Sequence, residues 1–250
     1  EIKTKEKKKK SKFDNLNRKF NFKSFISGKC NSVAKAAGKR ISKSPGDNPF
    51  NPLMIYGGVG LGKTHLLQSI GNKISNKSTL SVYYITSEKF ASQFVDALKE
   101  NKLKDFTNFY SNIECLIVDD IQFFKGKVKT QEVFFHIFNQ LNLNRKQIIL
   151  AADKSPVELD GLTNRLISRF KSGLTVELEK PDYETRLDIL NHKIEEEGIN
   201  IEKEIVQFIA LQVDTNIREL EGVLISLLAH STITKKSIDL DLAKSVINKI

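Results

Sequence analysis

The chain has 250 residues, 40% apolar and 28% charged, ordinary proportions for a globular protein of one or two domains with a full core. No apolar run approaches the roughly 18 residues of a membrane span and no signal-peptide hydrophobic region opens the sequence, so a cytoplasmic protein is expected. The net charge of +10 is unevenly spread: residues 1–43 hold 15 Lys/Arg against 3 Asp/Glu and residues 44–250 hold 25 against 27, which excludes a globally basic nucleic-acid-binding surface and leaves a basic N-terminal arm.

Residues 1–19 read as a basic flexible linker, lysine-rich over 1–12, with too little apolar surface to offset the entropy of ordering. Such an arm either touches phosphates or is a solvated tail. Aromatics begin at Phe13, Phe20, Phe22 and Phe25. A helix is predicted over 31–43 and a Pro/Gly loop over 44–49. Leu53-Met54-Ile55-Tyr56 reads as a buried strand, and Gly57-Gly58-Val59-Gly60-Leu61-Gly62-Lys63-Thr64 then fits G-x-x-x-x-G-K-[ST] at every specified position. The glycines let successive N–H groups turn toward an anion, Lys63 adds a cation near the β- and γ-phosphates, and the Thr64 hydroxyl can hold Mg²⁺. The helix predicted over 64–74 would aim its N-terminus at the phosphates.

Strands are predicted over 80–86, 113–118, 148–152 and 174–178, with helices over 87–100, 103–110, 131–141 and 162–170 between them. This alternation predicts an α/β domain over 20–180, a parallel five-stranded sheet between helices with ligands at the carboxyl ends of the strands. From 181 the strands stop. Helices over 183–196, 202–212, 217–229 and 237–249, with a break at 232–234, predict a small all-helical lid domain over 181–250. Neither Cys30 and Cys115 nor His65, His136, His192 and His230 show the spacing of a disulfide framework or a zinc site.

The strand Leu116-Ile117-Val118 delivers Asp119 and Asp120 to its carboxyl end. One carboxylate can hold Mg²⁺ with Thr64 while the other orients or deprotonates an attacking water, the two needs of phosphoryl transfer besides charge neutralisation. By itself, an apolar strand ending in Asp-Asp is as readily a strand cap; its distance from the phosphate loop favours the metal site.

Together with the phosphate loop and its flanks (51–67), the stretches 118–124, 130–136 and 216–222 make the chain, from Phe20 onward, closely similar to the AAA+ ATPase domain of the DnaA family of bacterial chromosomal replication initiators. The helical pair across 87–110 falls where initiators and helicase loaders carry an extra element. The resemblance implies a P-loop site for ATP or ADP involving Gly58, Val59, Gly60, Leu61, Gly62, Lys63, Thr64 and His65, with Ile26, Gly28 and Asn31 on the adenine side. It makes Asp153 the first sensor of the γ-phosphate, Arg218 the lid sensor, and Arg169, with Arg165 one turn earlier, the finger inserted into a neighbouring subunit's site. Without it, Asp153 reads as a surface residue and the two arginines as a solvated face.

The expected function is therefore that of a slow ATPase switch, the central part of a replication initiator. It would bind ATP and Mg²⁺, assemble head to tail and engage origin DNA, with single strands gripped by Val95, Lys127 and Lys129; the plainer alternative makes Val95 core and the lysines a solvated turn. The replicative helicase and regulatory proteins are further implied partners. Asp120, where many AAA+ enzymes have Glu, has a shorter reach and fits slow hydrolysis. The sequence stops at Ile250 without the duplex-reading domain that full-length family members carry, which leaves an alternative: a related regulatory adaptor or helicase loader that acts on replication proteins without melting DNA.

Overall fold

Alternation along the strands decides how the molecule is layered. In β1 (Leu53–Tyr56) Leu53 and Ile55 face one way and Met54 the other; in β3 (Cys115–Asp119) Cys115 and Ile117 oppose Leu116 and Val118. These strands are buried on both faces, as parallel strands between helical layers must be. With β2 (Val82–Thr86), β4 (Gln147–Ala152) and β5 (Leu174–Glu177) they form one wholly parallel sheet in the order β2-β3-β4-β1-β5. The computed structural model describes residues 15–235 and 237–249; the lysine-rich stretch 1–12, and with it the reading of a basic tail, lies outside them.

Helices α1 (Ser32–Ile41) and α2 (Lys63–Lys77) cover one face, burying Ala34, Ile41, Leu66, Leu67 and Ile70. On the other lie α3 (Ser87–Lys99), α4 (Leu103–Asn112), α5 (Val128–Leu143) and α6 (Asn164–Phe170), around a cluster of aromatic rings. Phe90 is its hub, with ring centroids 4.8 Å from Tyr110, 5.4 Å from Phe134 and 5.7 Å from Phe124, all edge-on. Each such fully buried ring contributes about 1.5–3 kcal/mol, so the α3–α4 pair is anchored rather than draped over the sheet.

A third core belongs to α7 (Tyr183–Glu197), α8 (Lys203–Gln212), α9 (Ile217–Thr234) and α10 (Leu240–Ile247), the expected helical lid. Side-chain caps start three of these helices: Asp182 accepts from Thr185 N, Asn216 from Glu219 N and Asp239 from Leu242 N, each such cap being worth about 1 kcal/mol. Among the described residues no helix is long and apolar enough to cross a membrane.

Three sequence expectations shift. Residues 15–19 are not free linker: Leu16 is buried against Gly71, and Asn17 N donates to Gln68 Oε1 at 2.8 Å. The predicted break at 232–234 is helix, since α9 runs to Thr234, whose hydroxyl donates to His230 O. The weak helix propensity of a β-branched run is overridden by continuing a helix already packed through Leu220, Val223 and Leu227. Helix α5 begins at Val128 rather than near 131, so Lys129 sits in its first turn and not in a loop.

Candidate functional site

Parallel strands bring three short segments to one edge of the sheet. The phosphate loop follows β1, the Asp119-Asp120 pair ends β3, and Asp153 follows β4. The lid closes over them: Ile217 N, at the start of α9, donates to Gly60 O at 3.1 Å. Gly60 has φ +76°, and a Cβ there would lie 2.5 Å from Asn216 Oδ1, so only glycine permits both the turn and the lid's approach. The result is a cleft of about 730 Å³ lined by Lys63, Thr64, Asp120, Asp153 and Arg218, among others.

Lys63 is buried and its ammonium donates to Gly57 O and Gly58 O, both at 2.7 Å. Burial lowers its pKa and the nearby carboxylates of Asp119, Asp120 and Asp153 oppose that shift. Asp119 is 1% exposed. Its Oδ2 accepts from Thr64 Oγ1 at 2.6 Å and Tyr84 OH at 3.0 Å, and its Oδ1 from Asp120 N at 3.0 Å. Burial raises this carboxyl above the usual range, against the pull of those donors. Asp120 is in the left-handed region at φ +55°, its carboxylate steadied by Gln122 Nε2 at 3.1 Å. A non-glycine residue held there stores strain of order 1–3 kcal/mol, which the surrounding structure must over-determine. Oδ1 of Asp153 is buried with no hydrogen-bond partner among the described residues.

This arrangement fits a magnesium nucleotide. Thr64 Oγ1 and Asp119 Oδ2 lie 2.6 Å apart, neighbouring oxygens of the kind a hard cation takes as ligands, and Lys63, Arg218 and the loop's N–H groups supply the charge a polyphosphate requires.

The sequence-predicted residues divide into three groups. Lys63, Thr64, Val59, Gly60, Gly62, His65, Asp120, Asp153 and Arg218 line the cleft; Asp119 and Leu61 are buried behind it, and Gly58 is exposed in the phosphate loop. Ile26, Gly28 and Asn31, expected on the adenine side, form a clasp toward the lid and are not among the residues that line this cleft. Asn31 folds back to accept from Gly28 N and donate to Ile26 O, both at 3.0 Å; Ile26 packs on the lid core, and a Cβ on Gly28 would collide with Thr185. The cleft is further walled by Asn17, Lys19, Phe20, Asn21 and Ser24 together with Lys193, Glu196, Glu197 and Glu221 of the lid. Sequence reading passed over this segment because it lacks hydrophobic periodicity; its only signal is a run of turn-forming Asn and Ser residues.

Arg169 stands apart from the chain's own cleft. It is exposed on α6 with its guanidinium 5.8 Å from the Phe135 ring centroid, and Arg165 is exposed one turn earlier. Val95 is 43% exposed on α3, so the alternative that placed it in the core does not hold; Lys127 and Lys129 are exposed at the start of α5.

A phosphate loop, paired carboxylates and a sensor position at the carboxyl edge of a five-stranded parallel sheet, closed by a helical lid, define a nucleotide-binding module of the AAA+ class. Residues 16–177 match the family described as the bacterial DnaA ATPase domain. The chromosomal replication initiator protein DnaA of Chlorobaculum tepidum is 50% identical over 237 residues, 94% of this chain and 48% of that protein. The crystal structure of domain III of the Thermotoga maritima replication initiation protein DnaA superposes with a TM-score of 0.90 at 44% identity, covering 94% of this chain and 98% of that one. A structure of replication initiator DnaA bound to AMPPCP and single-stranded DNA gives 0.78 at 42% identity, covering 84% of this chain and 64% of that one. The chain belongs to the DnaA family. It spans about half the length of the curated relatives it matches.

Proposed function

We propose that this chain is the ATP-driven switch of a replication initiator. In this reading it binds ATP with Mg²⁺, hydrolyses it slowly, assembles head to tail in the ATP state and engages single-stranded origin DNA. The observation that carries the reading is the convergence of Lys63, Thr64, Asp120, Asp153 and Arg218 on one cleft between sheet and lid, in a member of the DnaA family. That membership favours the initiator over the adaptor or loader.

The residues divide the work. The backbone N–H groups of the loop and the ammonium of Lys63 bind the polyphosphate; Thr64 and Asp119 would hold a magnesium ion, which would supply charge neutralisation for phosphoryl transfer. Asp120, at the cleft surface, orients or deprotonates the attacking water. The unpaired Oδ1 of Asp153 is an acceptor, so it suits a water hydrogen beside the γ-phosphate rather than a phosphate oxygen. Arg218 leads the lid helix that touches Gly60, so lid position and phosphate occupancy are linked through it. Its relative with AMPPCP and single-stranded DNA supports the nucleic-acid partner, as do the cations at the start of α5. Lys125, Lys127 and Lys129 cluster at a helix N-terminus whose first turn has no acidic residue. Cations there oppose the helix dipole by a few tenths of a kcal/mol, an arrangement that an anionic partner relieves.

Equilibrium titration with ATP and ADP tests the site. The native chain is expected to bind both, and Lys63→Ala to weaken binding at least about tenfold, the loss of a charge-assisted contact. Equal affinity of the two forms would remove the phosphate loop from the nucleotide site.

A further inference from the structure

Helix α6 is too short to hold its own direction. It has seven residues, well under the length at which a helix persists alone, and Thr163 at its N-cap makes no side-chain capping bond. Its direction comes from α5. Leu166 and Phe170, four apart, turn one side of α6 into the aromatic core, where Phe170 meets Phe134 and Phe138 of α5 at centroid distances of 6.4 Å and 6.2 Å. Apolar contacts of this kind are non-directional, so they hold α6 to its layer without fixing where its two ends lie.

Both ends are held by one face of α5. Near the start of that helix is Gln131, 1% exposed. Its Oε1 accepts from Thr163 N at 2.9 Å, and its Nε2 donates to Gly161 O and to Phe124 O, each at 2.9 Å. The carboxamide is fully used. A flipped amide would set its NH₂ against the Thr163 N–H and its oxygen against two carbonyls, so the partners admit one orientation. The side chain thereby ties the loop that starts α6 to the end of the 3-10 turn Ile121–Phe124. One turn further along the same face of α5 is Phe135. Its ring centroid lies 5.8 Å from the guanidinium carbon of Arg169, within the range of a cation–π contact. Phe135 is half-buried and packs on the aromatic core, while Arg169 is exposed, so the ring is a fixed platform for a side chain otherwise free in solvent.

We infer that Gln131 and Phe135 are positioning residues for Arg169. The first fixes where α6 starts and the second where the guanidinium rests, so α5 presents the arginine aligned for the nucleotide site of a neighbouring copy. An arginine that must order itself on assembly loses rotamer freedom, and a support already in place removes part of that cost before the copies meet. The inference rests on the reading of Arg169 as the finger of a head-to-tail assembly. Neither Gln131 nor Phe135 lines the chain's own cleft, so neither is expected to alter the chain's own affinity for ATP.

Double-mutant cycles on ATP-dependent assembly test it, with sedimentation velocity giving the protein concentration at half-assembly and a titration giving the ATP affinity of each form. Phe135→Leu is expected to raise that concentration about two- to fivefold, the worth of an exposed cation–π contact. Phe135→Tyr keeps an aromatic ring and is expected to assemble as the native chain does. Gln131→Met keeps the length and deletes the carboxamide; its effect is expected to reach at most that of Arg169→Ala, about tenfold for an interface arginine anchor. In the Arg169→Ala background neither Phe135→Leu nor Gln131→Met should shift the concentration again, since residues that act through one side chain are not additive. Native assembly by both single variants, or shifts that add in full to that of Arg169→Ala, would overturn the positioning role. An Arg169→Ala chain that assembles as the native chain does would overturn the finger reading instead. Urea unfolding identifies a Gln131→Met chain that fails to fold, and the two Phe135 variants then decide the outcome.

Discussion

His65 shows how much one position next to a phosphate loop can hold. It sits between the rings of Phe20 and Phe25, at centroid distances of 4.9 Å and 5.4 Å, with its Nε2 committed to Ser24 and Asn21. Burial pushes its pKa down from 6.5 to about 4, against a smaller upward pull from Asn21 O. The unfolded chain therefore binds the proton more readily than the folded one between about pH 4 and 6.5, so this contribution is complete above 6.5 and is lost as pH falls toward 4. Stability of the native chain is expected to fall by about 1–2 kcal/mol more between pH 7.5 and 5 than that of His65→Gln. Urea unfolding of both forms at the two pH values checks this; parallel losses would show that His65 titrates normally. Asp120 makes the complementary point, since its left-handed backbone strains one residue to present a carboxylate beside the phosphates.

At the scale of elements, each helix acts through one end or one face. Helix α9 docks its N-terminus on Gly60, and α2 offers its N-terminus to phosphates and, through Gln68 and Asn72, a polar face to residues 17–20. Helix α6 does neither within its own chain. Arg169 does not line the cleft and rests near Phe135, which is compatible with the proposed finger acting on a neighbouring copy. A site completed in that way makes a heterologous, head-to-tail contact, which propagates as a spiral or filament. Arg169→Ala is expected to leave ATP affinity nearly unchanged and to raise the protein concentration needed for ATP-dependent assembly at least about tenfold, the cost of losing an interface arginine anchor. Sedimentation velocity and nucleotide titration on the same variant separate the two effects, and a parallel loss of both would place Arg169 in its own chain's site.

For the whole molecule the question is where affinity for DNA resides. Residues 44–250 are slightly acidic as a body, so any grip on DNA has to be local. The start of α5 offers Lys125, Lys127 and Lys129 beside Phe123 and Val128, which are 44% and 57% exposed. Cations interleaved with apolar side chains suit a single strand, which presents phosphates and base faces together. Helix α3, which carries Val95, is fixed to the same layer through Phe90 against Phe124. In a chain starting at Asn15, which keeps the segment walling the cleft and removes the lysine-rich stretch, Lys127→Ala with Lys129→Ala is expected to weaken single-strand binding. The salt slope should flatten by about 0.7 per lost phosphate contact, with ATP binding spared. An unchanged slope would return these lysines to the status of a solvated turn.

What local sequence could determine, it did. The phosphate loop, the paired Asp119-Asp120 and the alternation of strand and helix are patterns written over neighbouring residues, where backbone conformation and burial follow from composition and period. Helix ends moved by a few residues, at Val128 and at Thr234, because packing and caps rather than propensity decide termini. Only the tertiary structure could show that residues between Asn17 and Ser24 wall the cleft, that Ile26, Gly28 and Asn31 form a clasp toward the lid, and that the Thr64 and Tyr84 hydroxyls meet on Asp119. The hydrogen bonds from Asn17 to Gln68 and Asn72 and from Thr64 and Tyr84 to Asp119 join residues 35 to 55 positions apart. A hydrogen bond between distant groups imposes no period and no composition on the segment that supplies it, so it becomes visible when the chain brings its partners together.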